Sequence, residues 1–463
     1  MIFSPDAVLA LAPDAASAKA ARGLTGATQW PLRGHNEVAV WGECQGSGAK
    51  PYQTQVDLAG PAFRCSCPSR KFPCKHGLAL LLMRAENAAG FASGEPPAWV
   101  AEWLASRVQR AQKSEEREQR AVERAAERAT ERAADPQAAA AADAAATAAR
   151  EAQRWRRIEA GMDDLERWLG DAIQRGLAHL PPDAPAQWQH FAARMVDAQA
   201  GGLAAAVREC AEWVHPGAGQ PERLLARLGR LHLVVEAVRR RDHLGADLRA
   251  DLRATLGWPL DRETVLAQGA RVEDRWTVLG QVSEEREHRL VERRVWLWGH
   301  STGRRALLLD FAPGGQGFET SWLTGAALQA TLVFSPSRVP LRAWVAQRDA
   351  APVAAPDVAN WPEPPHAEEW QALAQRLAGH AWLPVAPLVL SQARLRQAGT
   401  QWQLVAGDVH VPLALGDEDA WLLLAATGGH PATLAGEWDG RLLRPFSAWG
   451  GEGLWTPLAS RVI

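Results

Sequence analysis

The stretch Phe63–Leu82 reads FRCSCPSRKFPCKHGLALLL and holds three of the chain's five cysteines together with a histidine. Cys65, Cys67, Cys74 and His76 follow the order Cys-x-Cys-x6-Cys-x-His, directly ahead of an apolar run with helical character. Residues two apart on an extended strand point to the same side, so Cys65 and Cys67 present their sulfurs together. Cys74 then comes from a loop returning to the helix, and His76 from the helix's first turn. Four ligands drawn from strand, loop and helix can be pinned to one ion.

Five cysteines is an odd number, with Cys44 and Cys210 apart from the cluster, so the pattern is not a disulfide framework. Zinc takes four ligands in a tetrahedron, and three thiolates with one imidazole make a closed structural site. One structural Zn2+ on Cys65, Cys67, Cys74 and His76 is the expectation; an iron–sulfur cluster and redox-active cysteines are the competing readings. Cys44, at the end of a strand, falls near this site but outside the set of four. A short ββα unit has little core, and a structural zinc supplies on the order of 10 kcal/mol toward folding such a unit.

Upstream, EVAVWGEC (37–44) and PYQTQVDL (51–58) alternate in polarity around the Gly- and Ser-bearing QGSGAK, which predicts an antiparallel hairpin with Val38 and Val40 on one face. Ser4-Pro5-Asp6 starts a helix or two ahead of it, and Gly23 stops them. The N-terminal domain is placed at 1–106, with the metal module at about 35–85. Residues 107–150 form a spacer: Arg120, Arg124, Arg128 and Arg132 recur every fourth position beside Glu123, Glu127 and Glu131, before Pro136 and an alanine-rich segment.

Residues 151–258 carry apolar side chains at helical spacing: Ile158, Met162, Leu165, Leu169 and Ile173, then Leu203, Val207, Cys210 and Val214, then Leu224, Leu228, Leu231, Val235 and Val238. A helical bundle follows from that pattern. From 259 to 463 shorter strand patterns dominate, with hairpin turns at Ser301-Thr302-Gly303 and Asp439-Gly440 and one helix near EEWQALAQRLAGH. The fold class expected is therefore multidomain α+β: an N-terminal ββα zinc-finger module, a central helical bundle and a C-terminal β-rich α+β region.

A formal charge of −2 over 463 residues excludes a chain that coats nucleic acid or membrane by net charge alone. AWLPVAPLVL is cut by two prolines, no apolar run reaches membrane-spanning length, and the start lacks the basic flank of a signal peptide, so no membrane partner and a cytoplasmic location are expected. Local charge is another matter. Arg64, Arg70, Lys71 and Lys75 surround the cysteines with no acid between Arg64 and His76. They favour the thiolate forms and are candidate phosphate contacts for DNA or RNA; equally, they balance the sulfur charge and solvate the surface.

The spacing, within WGECQGSGAKPYQTQVDLAGPAFRCSCPSRKFPCKHGLALLL, resembles the SWIM zinc finger, in the form of its bacterial stand-alone members. The resemblance implies Cys65, Cys67, Cys74 and His76 as zinc ligands and a role in DNA or protein interaction. It further implies an assembly with an AAA-type ATPase and a von Willebrand A-type protein. No helicase, transposase or kinase part of other members is recognisable. There is also no Gly-x4-Gly-Lys-Ser/Thr loop, His-Glu-x-x-His pair or Gly-x-Ser-x-Gly elbow. His35 and His300 read as surface or satisfied polar residues, and the acid pairs Asp163-Asp164 and Glu368-Glu369 diverge on their helices. A non-catalytic adaptor is expected, with an enzyme or ATPase-associated regulatory subunit using an unrecognised C-terminal site as the alternative.

Overall fold

The computed structural model describes residues 5–9, 11–12, 15–46, 48, 50–58, 62–69, 73–109, 136–177, 184–211, 221–286, 290–313, 318, 320, 322–348, 361–450 and 453–457. The Arg and Glu stripes of 120–132, Val214, and the glycines of APGGQGF fall outside these residues.

The hairpin expected from the alternating segments is β2 (Ala39–Cys44) paired antiparallel to β3 (Tyr52–Asp57), with Val40 opposite Val56 and Cys44 opposite Tyr52. It lies inside a larger sheet. With β1 (Leu32–His35), β4 (Ala62–Cys65) and β5 (Ala92–Ser93) the order is β4-β3-β2-β1-β5. Val38 does not share Val40's face: it is 49% exposed and precedes the strand. The Asn36 side-chain oxygen accepts hydrogen bonds from the backbone N–H groups of Val38 and Ala39, turning the chain there.

Both faces of this sheet are covered. Helix α3 (Lys75–Glu86) buries the run from Leu78 to Met83 against it, together with α1 (Pro5–Leu9) and α2 (Ala15–Arg22). On the other face Ala39 and Trp41 pack on Val100 of α4 (98–109). The expectation of a core-poor unit is therefore corrected: Trp30, Val40, Val56, Phe63 and the α3 leucines form a continuous core that also takes in Leu323 and Ala326 from the C-terminal region.

The central region is helical, as its periodicity requires. Helix α5 is described over Pro136–Arg175. It packs with α6 (Ala184–Asp197), α7 (Gly201–Ala211), α8 (Pro221–Arg239) and α9 (Ala246–Thr255) around Ile158, Met162, Leu165, Phe191, Val207, Leu228 and Val235. Trp168 stacks on Phe191 with ring centroids 4.5 Å apart. Ile173, though on the apolar stripe, is 46% exposed. Cys210 is buried in this core, which pushes its thiol up to about 12 and leaves it an inert packing residue.

After α10 (Arg262–Gln268) come two antiparallel sheets. The first has the order β10-β9-β6-β7-β8, from β6 (Ala270–Arg286), β7 (Leu290–Gly299), β8 (Arg305–Pro313), β9 (Ala327–Phe334) and β10 (Ala343–Arg348). Helix α11 (His366–Gly379) leads into the second, β13-β12-β11-β14-β15-β16. Its strands are β11 (Ala386–Ala398), β12 (Gln401–Ala406), β13 (Val409–Pro412), β14 (Ala432–Trp438), β15 (Leu443–Gly450) and β16 (Gly453–Trp455), with α12 (Asp417–Thr427) between β13 and β14. The turns read at Ser301-Thr302-Gly303 and Asp439-Gly440 close β7–β8 and β14–β15, with Gly303 and Gly440 at φ +64° and +99°. Among the described residues no helix is long and apolar enough to cross a membrane.

The two sheets meet through Leu279, Trp296, Val389, Ala435, Phe446 and Trp449. They approach closely at Gly280, where a β-bulge shifts the β6–β7 register and a Cβ would lie 2.3 Å from Phe446. Gly280→Ala is expected to lower stability by about 1–3 kcal/mol through overpacking. Denaturant titration followed by tryptophan fluorescence checks this, and an unchanged midpoint would show that the sheets do not approach so closely.

Candidate metal centre

The N-terminal sheet and α3 converge on one end of the hairpin. Thr54 of β3 sits opposite Cys65 of β4 in the strand register, so their side chains share a face, and the Thr54 hydroxyl lies 3.1 Å from the Cys65 sulfur. Cys67 follows two residues on. Cys74 occupies the N-cap of α3, where its sulfur accepts the Gly77 N–H at 3.5 Å, and His76 in the first turn points its Nδ1 to 3.8 Å from Cys65 Sγ. The Tyr52 ring packs on the His76 ring with centroids 4.9 Å apart.

The ligand atoms of Cys65, Cys67, Cys74 and His76 all lie within 4.8 Å of one another. A tetrahedral zinc with Zn–S near 2.3 Å and Zn–N near 2.0–2.1 Å has donor–donor edges of about 3.5–3.8 Å, so small side-chain adjustments suffice. The donor set fits: three soft sulfurs and an imidazole, with Cys74 and His76 buried. The cluster is positioned to bind one zinc ion.

Proton sharing among the sulfurs is uneven. A hydrogen bond from the Cys65 thiol, helped by those from His76 and Gly77, holds Cys74 down to about 4 against its burial. The same shared bond, then burial, pushes Cys65 up, and burial pushes Cys67 up. Cys74 sits at a helix N-terminus, where the backbone N–H groups favour its thiolate form. Zinc binds sulfur as thiolate, so its entry releases the thiol protons of the cluster.

Position in the fold also explains a glycine. A Cβ on Gly77 would meet the Phe63 ring at 2.9 Å, and it is this close seating of α3 on β4 that brings Cys74 and His76 to Cys65. Cys44 is fully buried beside the cluster, close enough to feel Cys74 and Cys67; burial raises its thiol while Lys75 pulls it the other way. It stands outside the set of four. Of the cations, Arg64 on β4 and Lys75 at the start of α3 are exposed on either side of the ligands, while Arg70 and Lys71 lie outside the described residues. The supporting Thr54, Tyr52 and Gly77 were not singled out from sequence; the Thr54–Cys65 register is the signal that finds the first of them.

The family model of the SWIM zinc finger matches residues 52–85, and that of the SWIM-associated four-helix bundle domain matches residues 153–256. The chain carries a SWIM zinc finger and a SWIM-associated four-helix bundle domain. No curated protein and no solved structure matches it. The two family matches fall on the sheet-and-α3 unit that carries the metal cluster and on the central bundle; both C-terminal sheets lie outside them.

Other titratable groups picked out by burial are engaged structurally. Asp274 accepts hydrogen bonds from the backbone N–H groups of Arg275, Ser301 and Thr302 and from the Thr302 hydroxyl, which outweigh its burial and lower its pKa. His300 pairs with the Thr277 hydroxyl at 2.6 Å. Glu369, from the diverging pair Glu368-Glu369, is buried against Arg305 at 2.7 Å and accepts the Val389 N–H.

Proposed function

We propose that this protein is a non-catalytic adaptor whose zinc-pinned module offers a basic surface to nucleic acid, DNA or RNA, while the later domains engage protein partners. The observation that carries the reading is the closed donor set: four protein ligands within 4.8 Å fill a tetrahedron and leave no coordination position for a substrate. Such a centre fixes a shape. What it fixes here is the junction of β4 and α3, with the Arg64 and Lys75 side chains exposed on either side.

The engagement of Asp274, Glu369 and Glu437 by structural partners supports the non-catalytic side of the proposal for the C-terminal region. An AAA-type ATPase assembly is the protein partner toward which the resemblance of the finger points.

The test is binding of labelled duplex DNA and single-stranded RNA by fluorescence anisotropy across a salt series. Binding should weaken steeply with salt, and Arg64→Ala with Lys75→Ala should reduce the slope of log K against log salt by roughly one per lost phosphate contact. Neither nucleic acid binding at low salt, or binding untouched by the double substitution, would leave the finger as a protein-facing element only.

A further inference from the structure

The bundle carries a cleft of about 640 Å³ that the zinc site does not use. One wall is a stripe along α5 that includes Glu151, Trp155, Arg156 and Glu159; the other runs from Arg241 into α9 and includes Arg249 and Arg253. The spacing on each wall is that of a single helix face, and alanines such as Ala152 and Ala250 keep the two helices from filling the space between them.

The charges are sorted. Glu151 pairs with Arg253 across the cleft at 2.9 Å, and Glu159 pairs with Arg241 across it as well. Those pairs tie the walls together and neutralise each other. Asp242 has its ion pair with Arg241. The side chains of Arg156 and Arg249, one on each wall and both exposed, have no ion-pair or hydrogen-bond partner among the described residues. Beside them Trp155 is half-buried and held in place: Arg241 lies over its ring at 4.9 Å and Trp258 packs on it at 5.1 Å. Trp258 is itself clamped by Arg154 and Arg253 at 4.2 and 4.9 Å. The result is a braced aromatic wall with two unneutralised guanidiniums alongside.

We propose that this cleft binds an acidic peptide segment of a partner protein, with carboxylates on Arg156 and Arg249 and an apolar side chain against Trp155. The inference rests on the adaptor reading and names the chemistry of its protein partner. Guanidinium–carboxylate contacts supply direction, and the aromatic wall supplies apolar contact area. A nucleic-acid backbone is a poorer fit, because Arg241 and Arg253 are occupied by Glu159 and Glu151, which leaves two guanidiniums rather than a continuous track for evenly spaced phosphates.

The probe is a fluorescein-labelled Glu/Leu peptide of about twelve residues, enough to follow the cleft at 1.5 Å per helical residue. A Lys/Leu peptide of the same length and a single-stranded oligonucleotide serve as comparisons. The full-length zinc-loaded protein should bind the acidic peptide and not the basic one. Arg156→Glu with Arg249→Glu should weaken that binding roughly tenfold or more and create binding of the basic peptide. Both side chains are exposed, so zinc content and helicity should be unchanged in the variant, which removes misfolding as an explanation. Failure of the acidic peptide to bind, equal binding by the double variant, or displacement of the peptide by the oligonucleotide at lower concentration would each overturn the proposal. The nucleic-acid surface at Arg64 and Lys75 is read by a separate pair of substitutions, so the two can fail independently.

Discussion

Cys74→Ala is expected to strip the protein of zinc. Cys74 is the hub of the cluster: it is the sulfur held as thiolate, it caps α3 through the Gly77 N–H, and it exchanges hydrogen bonds with Cys65 and His76. Structural zinc contributes roughly 10–16 kcal/mol of binding free energy in small finger peptides, and a site reduced to three donors loses enough of this to be stripped by mild chelators. The structural consequence follows from the core beneath. Because Trp30, Val40, Val56 and the α3 leucines pack independently of the ion, the sheet should persist while the segment between Arg64 and Lys75 becomes a site of rapid tryptic cleavage. Elemental analysis and limited proteolysis read the two outcomes. Cys44→Ala is the control: that sulfur sits beside the cluster without completing it, and zinc should be retained. Full zinc occupancy in Cys74→Ala would contradict the ligand set.

The second large effect is expected at the contact between the C-terminal sheets. Arg294 of β7 and Glu437 of β14 form a buried pair at 2.8 and 3.0 Å, and Glu437 also accepts the Trp296 indole N–H at 2.7 Å. Glu284 and Glu292 reach the same guanidinium. Glu437→Ala leaves Arg294 its contacts with Glu284 and Glu292 but removes the acceptor of its Nε and Nη2 and of the buried Trp296 N–H, so it should cost about 3–5 kcal/mol. The double substitution Arg294→Met with Glu437→Leu should recover only part of that loss, since Glu284 and Glu292 lose a guanidinium partner and the Trp296 N–H loses its acceptor. Acid sensitivity has the same origin. Burial pushes Glu284 up, but the hydrogen bonds and charges of Arg294 and Arg444 outweigh it and hold it at about 2, below its ordinary 4.5. A depressed carboxylate stabilises the folded state above its unfolded pKa, so this contribution is complete above pH 4.5 and is lost as pH falls from there toward 2. In Glu284→Gln the unfolding free energy should depend less on pH across that window; an identical acid limb would remove Glu284 from the account.

The ligand set was legible because it is local: Cys65, Cys67, the helix cap Cys74 and His76 in the first turn are written in the spacing itself. The hairpin and the bundle were legible from periodicity, and the turns at Gly303 and Gly440 from their demand for positive φ. What failed to show was long-range coverage. LRGH (32–35) has too little alternation to announce a strand, with Leu32 40% exposed, yet it pairs β2 on one side and β5 on the other. The core under α3 was underestimated for the same reason, since Leu323 and Ala326 come from a segment with no sequence sign of contact with the N-terminus. In β11, Pro387, one of the two prolines that cut AWLPVAPLVL, lies within the strand opposite Glu437. It pairs only with β14 at that point, and the chain reaches β12 after a bulge at Gln392, where φ is +49°. The bundle cleft depends on which arginines find carboxylates across helices a hundred residues apart, information that no local pattern carries.

The central claim is that the cluster is a closed zinc site built from Cys65, Cys67, Cys74 and His76. X-ray absorption at the zinc edge of the purified full-length protein tests it most directly. The account predicts one zinc per chain with three sulfur neighbours near 2.3 Å and one nitrogen near 2.0–2.1 Å. An oxygen neighbour in the shell, a fourth sulfur from Cys44, or iron in place of zinc would contradict it.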